Sequence, residues 1–439
     1  VSIVFSEDQQ AAMDYLTESL FEFGSEEDML AGAAGCGKST LIDEIVKISP
    51  MPVVLAATTG KAKNVIEKKT GRPAFTGHQI AYQGADEDDE GNLFFRRRAE
   101  GSVGALAFAK EGTNDRAHRE LMAALNSGDK MLLILDEASM ADKWFKRDLK
   151  KSLKKSVQLL GVGDYFQLPP VAGRKNAGFD LQNATAKLTQ VHRQAAGTPN
   201  LALVTHIREN KVLPTPKLIE TFGMEVLDSD ARVVSERLAA WHRDGEDFAC
   251  LTPTNRTRIG VNNLFRAALG YPAMSAGPQI GERVIVLTNN KHVTCTNGEI
   301  GVVREVRPER LFRTEFHGDL HIYRLVVDIE GSRRVLRICL EAWSSRTLMG
   351  APDKGMKDAL WNTKVRNRGM YLEKLVGLAP AGAITVHKSQ GSQFDKVIVV
   401  LEDASWLGRE EVNLWYTAYS RGVNTVQTVL GRSHKRRRT

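Results

Sequence analysis

An α/β fold built on parallel sheets and divided over two or more domains is predicted by three observations. The first third of the chain alternates helix-spaced and strand-like apolar segments, the arrangement that lays parallel strands under crossover helices. The chain has 439 residues, beyond the size at which a single hydrophobic core usually stops growing. The region from Ile280 to Leu340 switches to short strands separated by turns, which suggests a small antiparallel barrel inserted into the second α/β unit.

The elements follow in order. Asp8 to Phe23 carries Ala12, Tyr15, Leu16, Leu20 and Phe23 at helical spacing. A glycine-rich turn leads into a second helix, Thr40 to Ile48, and Pro52 to Ala57 and Met131 to Leu135 are compact apolar strands. Between these strands, about 81–129, lies an irregular insertion with an acidic run (Asp86 to Glu90), a Glu90-Gly91-Asn92 turn, then Phe94, Phe95, Arg96, Arg97 and Arg98. A turn followed by aromatics reads as a hairpin projecting from the sheet, and a flexible surface loop accounts for the same residues equally well. From Lys143 to Lys155, Trp144, Phe145, Leu149 and Leu153 recur at near-helical spacing, so this basic stretch reads as a solvated helix with one buried face. In the second half, Arg283-Val-Ile-Val-Leu, Gly301-Val-Val-Arg-Glu-Val, Ile322 to Ile329 and Val335 to Leu340 read as the barrel strands. A helical stretch, Lys357 to Leu375, follows, and the strand Val397 to Leu401 resumes the α/β pattern. The terminal run Lys435 to Arg438 reads as a solvated charge run, with nucleic-acid contact as its second reading.

A hydrophobic fraction of 42% is that of a globular protein, and the net charge of +7 is compatible with a polyanionic partner. Cys36, Cys250, Cys295 and Cys339 lie far apart and form no C-x-x-C pair, so neither a zinc site nor a disulfide framework is suggested and they read as free thiols. No apolar stretch is long enough to span a bilayer, and the first residues lack the basic-then-apolar order of a signal peptide. No membrane partner is expected.

The chemistry concentrates at Gly32-Ala33-Ala34-Gly35-Cys36-Gly37-Lys38-Ser39, a complete G-x-x-x-x-G-K-[ST] loop followed by Thr40 and a helix. Its glycines let backbone N–H groups close around phosphate oxygens at the positive end of that helix. Lys38 is expected to reach the β- and γ-phosphates of ATP, and the Ser39 hydroxyl to ligate Mg²⁺. Leu132-Leu-Ile-Leu-Asp136-Glu137 supplies a buried strand ending in two carboxylates. Asp136 is the expected metal-side ligand and Glu137 the base that orients the attacking water. Cys36, inside the loop, is expected to make turnover sensitive to thiol alkylation.

Four further segments occur in a telling order: Asp136-Glu-Ala-Ser-Met140, Gly163-Asp-Tyr-Phe-Gln167-Leu-Pro-Pro-Val171, Thr385-Val-His-Lys-Ser-Gln-Gly391 and Tyr416-Thr-Ala-Tyr-Ser-Arg421. The ordered set resembles superfamily 1 helicases of the RecD-like branch over nearly the whole chain. The resemblance implies two RecA-like P-loop domains with ATP in the cleft between them, an inserted hairpin in the first and a small SH3-like β-barrel in the second. The limits expected are 1–184 for the first domain (insertion 81–129), 185–270 with 376–439 for the second, and 271–375 for the inserted barrel with its helical extension. Gln9 matches the glutamine that contacts adenine, Gln167 the residue that senses the γ-phosphate, and Gln390 beside Gly391 a glutamine near the same phosphate. Arg193 and Arg421 match the arginines that grip γ-phosphate oxygens. Thr59 and Lys61 in Ala57-Thr-Thr59-Gly-Lys61-Ala, His78, Thr254 with Asn255, and Thr385 with His387 match segments that line the strand track. Thr58 stands where the family usually has proline, and Gly77 and Gln79 also depart from its pattern. Phe94 and Phe95 are candidates to stack on bases or wedge a junction, and simple hairpin packing is the competing reading.

The implied activity is an ATP-dependent helicase or translocase moving 5′→3′ on single-stranded DNA and at single-strand/duplex junctions. A monomer in the cytoplasm of a bacterium or phage-infected host is expected, with replication or recombination proteins as further partners. The alternatives are a 3′→5′ or RNA-directed helicase, and a nucleic-acid-stimulated ATPase that loads or remodels proteins without unwinding.

Overall fold

Short apolar runs bounded by glycine and polar turns pair side by side in this chain, and helices make most of the crossovers between them. The computed structural model describes residues 4–87, 93–97, 130–152, 157–170, 176–190, 198–227, 231–288, 290, 293, 295, 297–314, 318–329, 331–345, 356–357 and 375–431, with the side chains of 83–87 and 93–97 left out. Contacts gather into two compact units. One comprises Val1–Asp88, Leu93–Leu213 and Leu407–Ser420, the other Asp89–Asn92, Pro214–Trp406 and Arg421–Thr439.

The first unit contains β1 (Glu27–Gly32), β2 (Val53–Ala57), β3 (Ala74–Thr76), β4 (Tyr82–Glu87), β5 (Leu93–Arg97), β6 (Met131–Asp136), β7 (Val157–Gly163) and β8 (Ala186–Leu188). Six of these make one parallel sheet in the order β3-β2-β6-β7-β1-β8. Its central strands β2 and β6 are apolar up to the terminal Asp136 of β6 because both faces are covered. Leu132 and Ile134 of β6 join Leu30, Leu41, Ile45 and Leu160 in one cluster. Met131, Leu133 and Leu135 point the other way, to Ile80, Phe145 and Leu149. The expected hairpin is present as backbone: β4 and β5 pair antiparallel from Tyr82–Arg97 to Glu87–Leu93. The rest of that insertion, Arg193 and the C-terminal basic run lie outside the described residues.

Two sequence expectations are corrected here. The first helix ends at Thr17 and continues as a π-turn, Glu18–Glu22, with the Phe23 N–H donating to Glu18 O at 3.0 Å. That i→i+5 closure rotates Phe23 out of the apolar stripe, and it is 77% exposed. In the helix Lys143–Ser152, Phe145 and Leu149 are buried as expected, but Trp144 faces solvent beside Arg147. Lys146 and Lys150 of this helix pair with Glu27 of β1, so part of its basic face is tied to the sheet.

The second unit contains β9 (Val226–Leu227), β10 (Phe248–Thr252), β11 (Arg283–Val286), β12 (Ile300–Thr314), β13 (Gly318–Ile329), β14 (Ser332–Cys339), β15 (Leu378–Pro380), β16 (Ala383–Thr385), β17 (Phe394–Leu401) and β18 (Gly422–Leu430). A parallel sheet runs β16-β10-β17-β18-β9 around Leu238, Phe248, Phe265 and Ile398. A separate five-stranded antiparallel sheet, β14-β13-β12-β11-β15, stands where the strand run from Ile280 to Leu340 predicts an antiparallel insertion. It closes over Val303, Leu325, Leu336, Ile338 and Trp343. Among the described residues no helix is long and apolar enough to cross a membrane.

Candidate nucleotide site and nucleic-acid interface

The phosphate-type loop joins the C-terminal end of β1 to the helix Lys38–Ile48, where an anion meets unpaired helix N–H groups. Gly35 and Gly37 both lie at φ +86°, a conformation that L side chains rarely adopt. Lys38 Nζ donates to the carbonyls of Gly32 (2.9 Å) and Ala33 (3.0 Å), so the lysine is held against the loop it serves. Gln9 is buried beside it: its amide donates to Cys36 O at 3.2 Å and accepts from the Ser6 N–H at 3.1 Å. A Cβ at Gly37 would strike that amide. Cys36 itself is fully buried, and burial pushes its thiol up, which works against the expected alkylation.

At the end of β6, Asp136 accepts the Glu137 N–H at 2.8 Å. Desolvation pushes the Asp136 carboxyl up, while that N–H, Lys38 and Lys69 pull it down. Glu137 adopts φ 53°, ψ 36°, the left-handed region. Only Glu137 and Lys211 do so among the described non-glycine residues. Strain of this kind is held by its surroundings, and Thr58 supplies two bonds. The Thr58 N–H donates to Asp136 O at 3.2 Å and its hydroxyl to Glu137 O at 3.1 Å.

Gln167 is buried, and its Oε1 has no hydrogen-bond partner among the described residues. The turn that carries it is braced by the helix Glu411–Tyr419, which clusters with the first unit. Tyr416 OH donates to Asp164 Oδ2 at 2.7 Å, Asn413 Nδ2 to Phe166 O at 2.7 Å, and the Leu168 N–H to Thr417 Oγ1 at 2.9 Å. Asp164 and Tyr416 lie inside motifs quoted from the sequence, yet no local signal joins residues 252 positions apart.

The strand-track candidates share one local design. Thr59 caps the helix Gly60–Thr70 by accepting the Ala62 N–H at 3.2 Å, and Lys61 lies in that helix's first turn. Thr76 caps the short helix Gly77–Ala81, whose His78 ring stacks on Phe145 with centroids 4.8 Å apart. In the second unit, Thr254 caps the helix Asn255–Ala268 by accepting the Thr257 N–H at 3.2 Å. Thr385 caps Val386–Ser389, which contains His387, at 3.4 Å. Each cap follows the carboxyl end of a parallel strand, where open α/β sheets bind ligands. Gln390 is buried and Gly391 lies at φ +71°. Arg421 is buried with Nη1 on Ser392 O at 3.2 Å. The backbone of Phe94 and Phe95 lies in β5, and their side chains are outside the described set.

Residues 4–224, half of the chain, match the family described as AAA domain. The chain belongs to the AAA domain family. Residues 380–426 match the UvrD-like helicase C-terminal domain. The ATP-dependent RecD2 DNA helicase of Deinococcus radiodurans is 26% identical over 431 residues, covering 95% of this chain and 48% of that protein. The ATP-dependent DNA helicase dda of Enterobacteria phage T4 is 27% identical over 190 residues, covering 41% of this chain and 37% of that protein. The chain thus spans about half the length, or less, of these relatives. A solved structure described as two coordinating Pif1 helicases unwinding forked double-stranded DNA matches with a TM-score of 0.52 at 19% identity, over 97% of this chain and 92% of that one. The chain is thus similar to superfamily 1 proteins of the RecD and Pif1 type, and its fold is that of the solved structure, with two RecA-like domains.

Proposed function

We propose that this chain is an ATP-dependent DNA helicase or translocase that moves 5′→3′ along single-stranded DNA and opens duplex at junctions. The observation that carries the reading is the arrangement in the first unit. A lysine-bearing phosphate loop follows β1, and the parallel strand β6 ends in Asp136 and Glu137, the latter held in a left-handed turn. The names of the relatives, which are DNA helicases, support the same reading.

Ser39 and Asp136 offer a hydroxyl and a carboxylate, hard oxygen donors of the kind Mg²⁺ takes together with phosphates and water. The fit shows in the desolvated setting of Asp136, whose charged form a cation would favour. Mg²⁺, when bound, neutralises charge on the triphosphate. The chain's own residues do the rest. The loop from Gly32 to Thr40 orients the phosphates through backbone N–H groups, and Lys38 turns from its carbonyl partners to phosphate oxygens. Gln9 braces the loop and offers its amide toward adenine. Glu137 aligns a water and takes its proton. Gln167 and Gln390 report the state of the γ-phosphate, and Arg193 and Arg421 stabilise charge on it, a role worth about 10³–10⁵ in rate for such arginines. The capped helix starts at Thr59, His78, Thr254 with Asn255, and Thr385 with His387 hold backbone phosphates without reading bases, with Lys61 beside them. Phe94 or Phe95 meets the junction. The domain limits drawn from the sequence, the SH3-like form of the antiparallel sheet, and action as a monomer with replication or recombination proteins belong to the same proposal.

The test is ATP-dependent strand release from two otherwise identical duplexes, one with a 5′ tail and one with a 3′ tail. Release from the 5′-tailed duplex alone is expected. Release from the 3′-tailed duplex alone keeps the motor and reverses its direction. ATPase stimulated by single strands without any release favours a loader or remodeller.

A further inference from the structure

The helix Asn255–Ala268 carries Arg258, Asn262 and Arg266 at four-residue spacing, hence on one face, and all three are buried. Two are held by partners within the fold. Asn262 donates to Pro380 O and Ala383 O at 3.0 and 2.9 Å and accepts the Ala383 N–H at 2.8 Å. Arg266 pairs with Glu282 and donates to Pro272 O at 3.1 Å and Gly277 O at 3.2 Å.

Arg258 differs. It is only 4% exposed, and its Nε donates to Asn255 Oδ1 at 3.0 Å. Among the described residues no carboxylate pairs with it and its Nη atoms meet no acceptor. Burial, with no anion opposing it, lowers its pKa. The side chain lines a cavity of 440 Å³ together with Ile259, Asn263, Tyr271, Trp343 and Ser345. A second cation, Lys388, feels its charge: after burial, Arg258 is the next cause that lowers the Lys388 pKa. Lys388 Nζ meets only a neutral partner, Asn297 Oδ1, at 2.9 Å. A buried guanidinium without an anion is costly unless a ligand supplies one, and the half-buried Lys388 adds to the positive charge there. A guanidinium whose two Nη groups are open suits a phosphate held bidentately.

We propose that Arg258, backed by Lys388, seats one backbone phosphate of single-stranded DNA at this cavity. The proposal rests on the strand-binding reading above. It favours a strand over free phosphate because Asn255 and His387, both placed on the strand track, are the hydrogen-bond partner of Arg258 and the chain neighbour of Lys388.

The test titrates the full chain and its Arg258→Met variant with a labelled oligothymidylate over a series of salt concentrations. Loss of one phosphate contact should lower the slope of log K against log salt by about one and weaken binding about 3–10-fold at 0.1 M salt, with Arg258→Lys restoring most of both. If Arg258→Met does not fold, Lys388→Met carries the same comparison. An unchanged slope and affinity overturn the seating of a strand phosphate and leave the motor reading standing. Failure of the unsubstituted chain to bind the oligonucleotide overturns both. If inorganic phosphate raises the melting temperature of the unsubstituted chain but not of Arg258→Met, while the slope is unchanged, the seat takes free phosphate and the strand assignment is overturned.

Discussion

Thr58 makes two bonds that a proline in its place could not make, one through its N–H and one through its hydroxyl. Together they fasten the strained turn that presents Glu137. Thr58→Val keeps the shape and the N–H but removes the hydroxyl bond, which is worth about 0.5–1.5 kcal/mol. If that bond positions the base, kcat should fall about 2–10-fold with KM for ATP unchanged, and Thr58→Ser should recover it. A KM rise with kcat intact would mean that Thr58 shapes binding instead. Asp8 works at the same scale. Burial would raise its pKa, but the N–H groups of Gln190 and Thr189 and the hydroxyls of Ser6 and Thr189 outweigh it and bring it from 3.8 to about 2. A carboxylate lowered on folding contributes stability above its unfolded pKa, and this is lost as pH falls through the folded value. Asp8→Asn should therefore melt at a lower temperature than the unsubstituted chain at pH 5, with the gap closing toward pH 2. A gap constant over pH 2–5 would sink the assignment.

The recurring element is a parallel strand that ends in a threonine N-cap and hands over to a helix. It occurs at Thr59, Thr76, Thr254 and Thr385. The cap satisfies one orphan N–H and leaves others at the positive end of the helix, so the device that stabilises the turn also prepares it for phosphate. A second element is the helix Glu411–Tyr419, which is almost wholly buried although its own amphipathicity is slight. It is held by its bonds to the turn Asp164–Leu168. Tyr416→Phe withdraws the hydroxyl from Asp164, which is itself fully buried. The expected cost is about 1–3 kcal/mol, read as a lowered denaturant midpoint or melting temperature. An unaltered midpoint would show that another donor takes over the carboxylate.

At the scale of the whole molecule, each unit carries candidates of both kinds. The first unit holds Gln9, Lys38, Asp136, Glu137 and Gln167 with the track residues Thr59, Lys61 and His78; the second holds Gln390 and Arg421 with the track residues Thr254 and Thr385. The two sets share no residue, so turnover and strand binding are separable by substitution. Lys38→Ala should abolish ATP hydrolysis while keeping oligonucleotide affinity within about twofold, since it removes a phosphate-loop cation and no track residue. Normal turnover in that variant would remove the nucleotide-site assignment altogether. The excess of positive charge, +7, gives a reason to compare these affinities at fixed salt.

What the sequence by itself determined is what depends on near neighbours. The phosphate loop is contiguous from Gly32 to Ser39. The strands announce themselves as apolar runs. Helix period, glycine conformations and capping are decided within a few residues, so they are legible without a fold. What only the tertiary structure decided depends on distant segments meeting. Thr58 reaches Glu137 across 79 positions and Tyr416 reaches Asp164 across 252. Trp144 turned outward where helical spacing put it in the buried face, and a π-turn swung Phe23 into solvent. Arg258 looks in sequence like any surface arginine, and only the packing around helix Asn255–Ala268 shows it buried without an anion. Burial and hydrogen-bond satisfaction are properties of the packed chain, because desolvation is set by everything that surrounds a group and not by the residues beside it in sequence.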